Sequence, residues 1–154
     1  MWNEIEREKK MAQHLFYVSM KYTKTCDVIL NLLERWERLI NVCIEILLKL
    51  AKKAKKIKEI PTAPKARELA IRGVYKDEFI TRIMTLYAFF RRLPQLEKLR
   101  EHEFRKNVAL RVIEEGRETV INLDKLKEWN ELFCTTLINY TRHAAGKEKL
   151  KQAR

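Results

Sequence analysis

From Met11 to Lys58 the chain contains neither glycine nor proline, an uninterrupted run of 48 residues. Only three glycines and three prolines occur in all 154 residues, so few points exist at which a helix must stop. Within the run, Ile29, Leu32, Leu33, Trp36, Ile40, Cys43, Leu47 and Leu50 recur at helical spacing. Val28, Leu39, Val42, Ile44 and Ile46 widen the stripe, which marks this helix as central. An earlier apolar stripe, Met11, Leu15, Val18 and Tyr22, reads as a separate helix or as the same one continued. A single helix over the whole run would span about 72 Å, longer than a compact domain of this size. Thr23, Thr25 and Asp27 are good caps and poor helix formers, so a break is expected there.

Ile60-Pro61-Thr62-Ala63-Pro64 closes this region. Thr62 can cap a short helix from Ala63 to about Arg72, ended by Gly73. Asp77 can cap the next, running to about Leu93, and Pro94 can open another short helix through about Phe104. The period then changes. Val108, Leu110 and Val112 alternate, Glu114 to Arg117 form a turn, and Thr119 to Leu123 are rich in β-branched residues. This predicts a hairpin over 107–123, which must pack on helices because two strands alone are marginal. Asp124 can cap a final helix with Leu126, Trp129, Phe133, Leu137 and Tyr140 inward. The expected architecture is mainly α: one domain over residues 1–143, five or six helices with a minor β-hairpin, and a frayed basic tail over 144–154. No internal repeat or second domain is visible.

The charge is unevenly placed. The formal net charge is +12, from 33 Lys and Arg against 21 Asp and Glu. Residues 1–50 contribute +1, residues 101–154 contribute +2, and residues 51–100 contribute +9. A field localised in one segment attracts polyanions or an acidic protein. Its densest part is Lys49, Lys52, Lys53, Lys55, Lys56 and Lys58. On a continuing helix Lys49, Lys52, Lys53 and Lys56 share about 100° of arc. Lysine is a point charge that positions a phosphate backbone without reading bases, so nucleic-acid binding here should be non-specific. A solvated face that keeps the chain dispersed is the plainer alternative. A second cluster comprises Arg82, Arg91, Arg92, Lys98, Arg100, Arg105 and Lys106, with Tyr87, Phe89 and Phe90 close in sequence. Arginine beside aromatics suits RNA or single strands. Equally, the aromatics can be core and the arginines can pair with Glu97, Glu101 and Glu103.

Catalytic signatures are missing from the sequence. There is no glycine-rich phosphate loop, nucleophile elbow or paired-carboxylate motif. His14, His102 and His143 are far apart and lack metal-ligand spacing. An acid–base role for His102, between Glu101 and Glu103, is conceivable, and His14 is the other candidate. Cys26, Cys43 and Cys134 lie in apolar helical patterns, read as reduced packing residues of a cytoplasmic protein. No apolar run reaches the roughly 18–20 residues of a membrane helix. Met1 to Lys10 lacks the apolar core of a secretory signal.

The segment from His14 through Ile29, the long apolar run after it, and Ile60-Pro-Thr-Ala-Pro-Lys65 before further helices resemble archaeal HEPN-type helical proteins. The similarity covers residues 11–105. It implies a mostly helical bundle, often dimeric, associated with RNA or with toxin–antitoxin and defence systems. HEPN ribonucleases carry Arg, four to six residues, then His in a late helix. Here Arg92 to His102 is too long a gap and Arg100 to His102 too short. Arg7 and His14 have the spacing but lie at the N-terminus. The resemblance therefore implies no catalytic residue. The leading expectation is a non-enzymatic nucleic-acid-binding or regulatory protein without cofactor or metal. Its binding residues would be Lys49, Lys52, Lys53, Lys56, Arg91, Arg92, Arg105 and Lys106. The alternatives are an interaction subunit for an acidic protein and a HEPN-like ribonuclease with an unorthodox Arg/His pair.

Overall fold

A computed structural model describes residues 1–153. It is mainly helical, with one small antiparallel sheet. The chain opens with α1 (Trp2–His14), passes through a π-helical turn (Leu15–Ser19), and ends this arm in α2 (Met20–Tyr22). The expected break follows. Thr25 accepts the Val28 N–H and caps α3 (Cys26–Lys53), the central helix. Its stripe is buried as read, with Ile29, Leu32, Leu33, Trp36, Ile40, Cys43 and Leu47 all shielded from solvent.

The face of the first arm differs from expectation. Ile5, Ala12 and Met20 are buried, whereas Met11, Val18 and Tyr22 are exposed. The inward face of α1 runs through Ile5, Glu8 and Ala12, so Met11 lies off it; the π-turn then adds a residue, which brings Met20 inward and leaves Val18 and Tyr22 outside. Helix also begins at Trp2, because the buried Ile5 anchors a first turn in which Glu4 complements the helix N-terminus.

Helices α4 (Pro64–Val74) and α5 (Glu78–Arg92) follow. Pro64 starts α4 at its first position, where the missing N–H costs nothing, so Ala63 rather than Thr62 precedes the helix. Gly73 lies inside α4 rather than closing it; Tyr75 in extended conformation does that. Asp77 caps α5 as expected, accepting the Ile80 N–H at 2.8 Å.

The helix expected after Pro94 does not form. Pro94 sits in a single 3-10 turn (Leu93–Gln95), and Glu97–Glu101 is strand β1. Its charged sequence reads as helix, but all five residues pair with β2 (Ala109–Glu114), from Glu97 opposite Ile113 to Glu101 opposite Ala109. Tertiary pairing overrides propensity here, and charged residues suit an edge strand. Strand β2 also pairs with β3 (Arg117–Asn122), completing the expected hairpin and making β2 the central strand of a three-stranded sheet. Glu115 and Gly116 both have positive φ, 51° and 77°, which matches a two-residue hairpin loop. Leu110, Val112 and Ile121 bury one face of the sheet. On the other, Arg111 bridges Glu101 of β1 and Glu118 of β3.

Helix α6 (Leu123–Glu131), a second π-turn (Leu132–Leu137) and α7 (Ile138–Ala153) complete the chain. Asn122, the last residue of β3, caps α6 by accepting the Lys125 N–H, and Asp124 falls in the first turn instead. Helix continues through the stretch read as a frayed tail; Arg154 lies outside the described residues. All three cysteines are buried and free, and burial pushes the thiols of Cys43 and Cys134 up to about 12 and about 11. No helix among the described residues is long and apolar enough to cross a membrane.

Candidate nucleic-acid interface

The exit of α3 is built by a backbone signature. Ala54 leaves the helix, Lys55 adopts φ 62°, Lys55 N–H bonds Lys52 C=O, and Lys56 N–H bonds Ala51 C=O. This paired closure is the Schellman motif, with lysine in the left-handed position that usually holds glycine. Lys49, Lys52 and Lys53 therefore share the helix surface as expected. Lys56 does not extend their stripe, because the chain has already turned.

The end of α3 nonetheless gains charge from elsewhere. Helices α3 and α7 pack together, and two clefts flank the contact. One, of about 280 Å³, is lined by Lys56, His143, Lys147 and Lys151 beside Tyr75 and Tyr140. The other, of about 250 Å³, is lined by Lys49, Lys53 and Lys149 beside Trp2. Two tyrosines fix α7 in this place. The Tyr75 hydroxyl donates to Leu47 C=O at 2.7 Å, and the Tyr140 hydroxyl donates to Asp77 Oδ2 at 2.6 Å. Their rings meet edge to face with centroids 6.3 Å apart. Burial pushes the Tyr75 phenol up to about 12, with Glu148 adding to it. Burial and then Asp77 raise the Tyr140 phenol as well. Asp77 thus caps α5 and holds α7 at once.

The acids at this pole are Glu45, Glu59 and Glu148, the last lining both clefts, with Asp77 in one of them; the lysines outnumber them. Glu45 pairs with Lys49 at 3.7 Å and also with Arg67. Lys52, Lys53, Lys55, Lys56 and Lys58 are exposed and form no ion pair among the described residues. Lysines at a helix C-terminus offset its dipole, but that dipole amounts to only about half a negative charge. Most of the positive charge on Lys52, Lys53, Lys55, Lys56 and Lys58 is left without an ion-pair partner among the described residues.

The remaining expected residues lie elsewhere. Arg91 sits 5.4 Å over the Tyr87 ring and 3.9 Å from Glu68. Arg92 grips Glu114 with two hydrogen bonds of 2.6 and 3.0 Å, which lowers the Glu114 carboxyl below its usual range. Both guanidinium groups are therefore engaged within the fold. Tyr87, Phe89 and Phe90 are buried, so they offer no stacking surface. Arg105 and Lys106 occupy the β1–β2 connection, which is tied to the opposite end of α3 through Phe104 N–H to Lys24 C=O. Along the 28 residues of α3 this is about 40 Å from the lysine pole. The eight residues therefore form no single face.

Lys147, Lys149 and Lys151 were not foreseen as part of the pole. Their charge was visible in the sequence; their position beside α3 depends on the tyrosine contacts, which leave no periodic trace. No group of His, Cys, Asp and Glu suited to a metal ion occurs among the described residues. No protein-family model, curated protein or solved structure matches the chain.

Proposed function

We propose that this chain binds the phosphate backbone of nucleic acid through the lysine pole at the joined ends of α3 and α7, without catalysing a reaction on it. The observation that carries the reading is the run of exposed, unpaired lysines from Lys52 to Lys58, extended by Lys147, Lys149 and Lys151 across the clefts. Lysine positions rather than reads, so recognition is independent of sequence. Binding of labelled generic RNA and duplex DNA over a range of salt concentrations tests it. Changing Lys49, Lys52, Lys53 and Lys56 to Gln should weaken every sequence alike. It should also flatten log K against log salt by roughly 0.9 per lost duplex phosphate contact. Unchanged affinity and slope would reject the pole as the binding face and favour an acidic protein partner, to be sought by pull-down. The labelled RNA should stay intact. Cleavage that survives repurification and vanishes in His102→Ala or His14→Ala would replace this reading with the ribonuclease one.

A further inference from the structure

At the end of α3 opposite the lysine pole, one residue carries two costs. Phe104, in the β1–β2 connection, has φ 67°, a backbone region that disfavours bulky side chains. Its ring is also 75% exposed. His102, two residues earlier, is left-handed too, at φ 53°. The conformation is held from outside the loop. Phe104 N–H donates to Lys24 C=O at 2.6 Å, and the Glu103 carboxylate accepts the Cys26 N–H at 3.0 Å. These bonds fix the backbone and leave the ring in water. Strain maintained by surrounding contacts, at a side chain that packs on nothing inside, points to an external role.

The segment to which Phe104 is tied carries a second exposed aromatic. Tyr22 is 78% exposed and lies two residues before Lys24. Lys21 Nζ sits 5.7 Å from the Tyr22 ring centroid, and Lys24 Nζ donates to Lys21 C=O. Arg105 and Lys106 follow Phe104 directly and are exposed. The acids nearby are already engaged: Arg100 pairs with Asp27 at 2.8 Å and with Glu103 at 3.5 Å, and Arg111 with Glu101. The uncompensated charge among the described residues here is therefore positive, beside two aromatic faces.

We infer that Tyr22 and Phe104 form a stacking platform for unpaired bases of a single-stranded nucleic acid, with Lys21, Lys24, Arg105 and Lys106 holding its phosphates. Aromatic faces beside cations accept any base, since every base has a π-face. Bases within a duplex are already stacked and present only edges, so the platform discriminates single strands from duplexes. The inference shares its ligand class with the lysine-pole reading but uses separate residues about 40 Å away along α3.

The test is anisotropy of a labelled oligouridylate, an oligothymidylate and a matched duplex with the full chain. Wild type should bind the single strands more tightly than the duplex. Tyr22→Ala and Phe104→Ala should each weaken single-strand binding about tenfold or more, with duplex binding unchanged. Phe104→Trp should keep the preference, and Phe104→Leu should behave as Ala does. Phe104→Gly relieves the left-handed strain and should raise Tm by about 2–4 °C while single-strand binding falls. A loss of binding in a more stable protein cannot come from misfolding. Single-strand affinity untouched by Ala at both positions, or preserved by Phe104→Leu, would overturn the platform. If the quadruple Lys→Gln variant loses duplex binding while the aromatic effects persist, both readings stand. If single strands depend on the lysines but not on the aromatics, only the platform falls. If wild type binds neither form, both fall.

Discussion

Lys55 shows how one residue can redirect a surface. Its φ of 62° turns the chain out of α3, and the two hydrogen bonds of the Schellman closure depend on it. Lysine pays a steric cost there that glycine does not. Lys55→Gly should therefore stabilise the fold by about 1 kcal/mol, read as a higher denaturant midpoint at constant m-value. A drop in stability would mean that the lysine side chain packs favourably in that turn. The same residue explains why the four-lysine stripe was only partly legible. Glycine announces a helix end, whereas lysine after three other lysines looks like more helix, so Lys56 was assigned to a face it does not share. Phe104 is a parallel case: nothing in its neighbours signals a left-handed backbone, because the Lys24 carbonyl that holds it is 80 residues away in sequence.

At the scale of elements, α3 was the most legible because its 28 residues follow one period without interruption. Its centre is Trp36, fully buried, with ring centroids 6.4 Å from Trp129 and 5.4 Å from Phe133. Phe90 closes the cluster at 5.4 Å from Trp129 and 5.7 Å from Phe133. One knot thus joins α3, α5, α6 and the second π-turn. Trp36→Ala should cost about 3–5 kcal/mol in urea unfolding, and a loss under about 1 kcal/mol would remove Trp36 from the core. The indole N–H meets no oxygen or nitrogen acceptor and has only the buried Cys134 thiol beside it, so Trp36→Phe should cost clearly less than Ala. Elements elsewhere were less legible for definable reasons. The first π-turn shifts phase within a continuous helix, which brings Met20 inward in place of Val18. Strand β1 carries the helix-like sequence Glu-Lys-Leu-Arg-Glu, and only its pairing with β2 makes it a strand. The β2–β3 hairpin was readable because alternation, a Gly116 turn and β-branched residues coincide.

For the whole molecule, the net charge of +12 is a stability term and, on the proposed function, a binding term as well. Clustered lysines repel one another in the folded state, and a bound polyanion removes that repulsion while adding contacts of its own. A ligand that binds only the folded chain stabilises it by about 2.7 kcal/mol at 100 times its Kd. For a domain of this size that corresponds to a Tm rise of roughly 5–10 °C. Heparin, a sulfated polyanion without bases to stack, should produce this shift mainly through the lysine pole. Changing Lys49, Lys52, Lys53 and Lys56 to Gln lowers the formal net charge from +12 to +8, which should cut the heparin shift by more than half. The variant's own Tm at low salt should be equal to or above that of the wild type, because like charges have been removed from one end. In about 1 M salt, where screening acts over about 3 Å, the heparin shift and the difference between the two proteins should both collapse. Scanning calorimetry of both proteins, with and without heparin, at low and high salt, separates the terms. A variant that shifts as far as the wild type would place the anion contacts away from the end of α3. A variant with a lower Tm in the absence of heparin would mean that these lysines stabilise the fold, through the α3 dipole or through packing of their stems, instead of standing ready for a ligand.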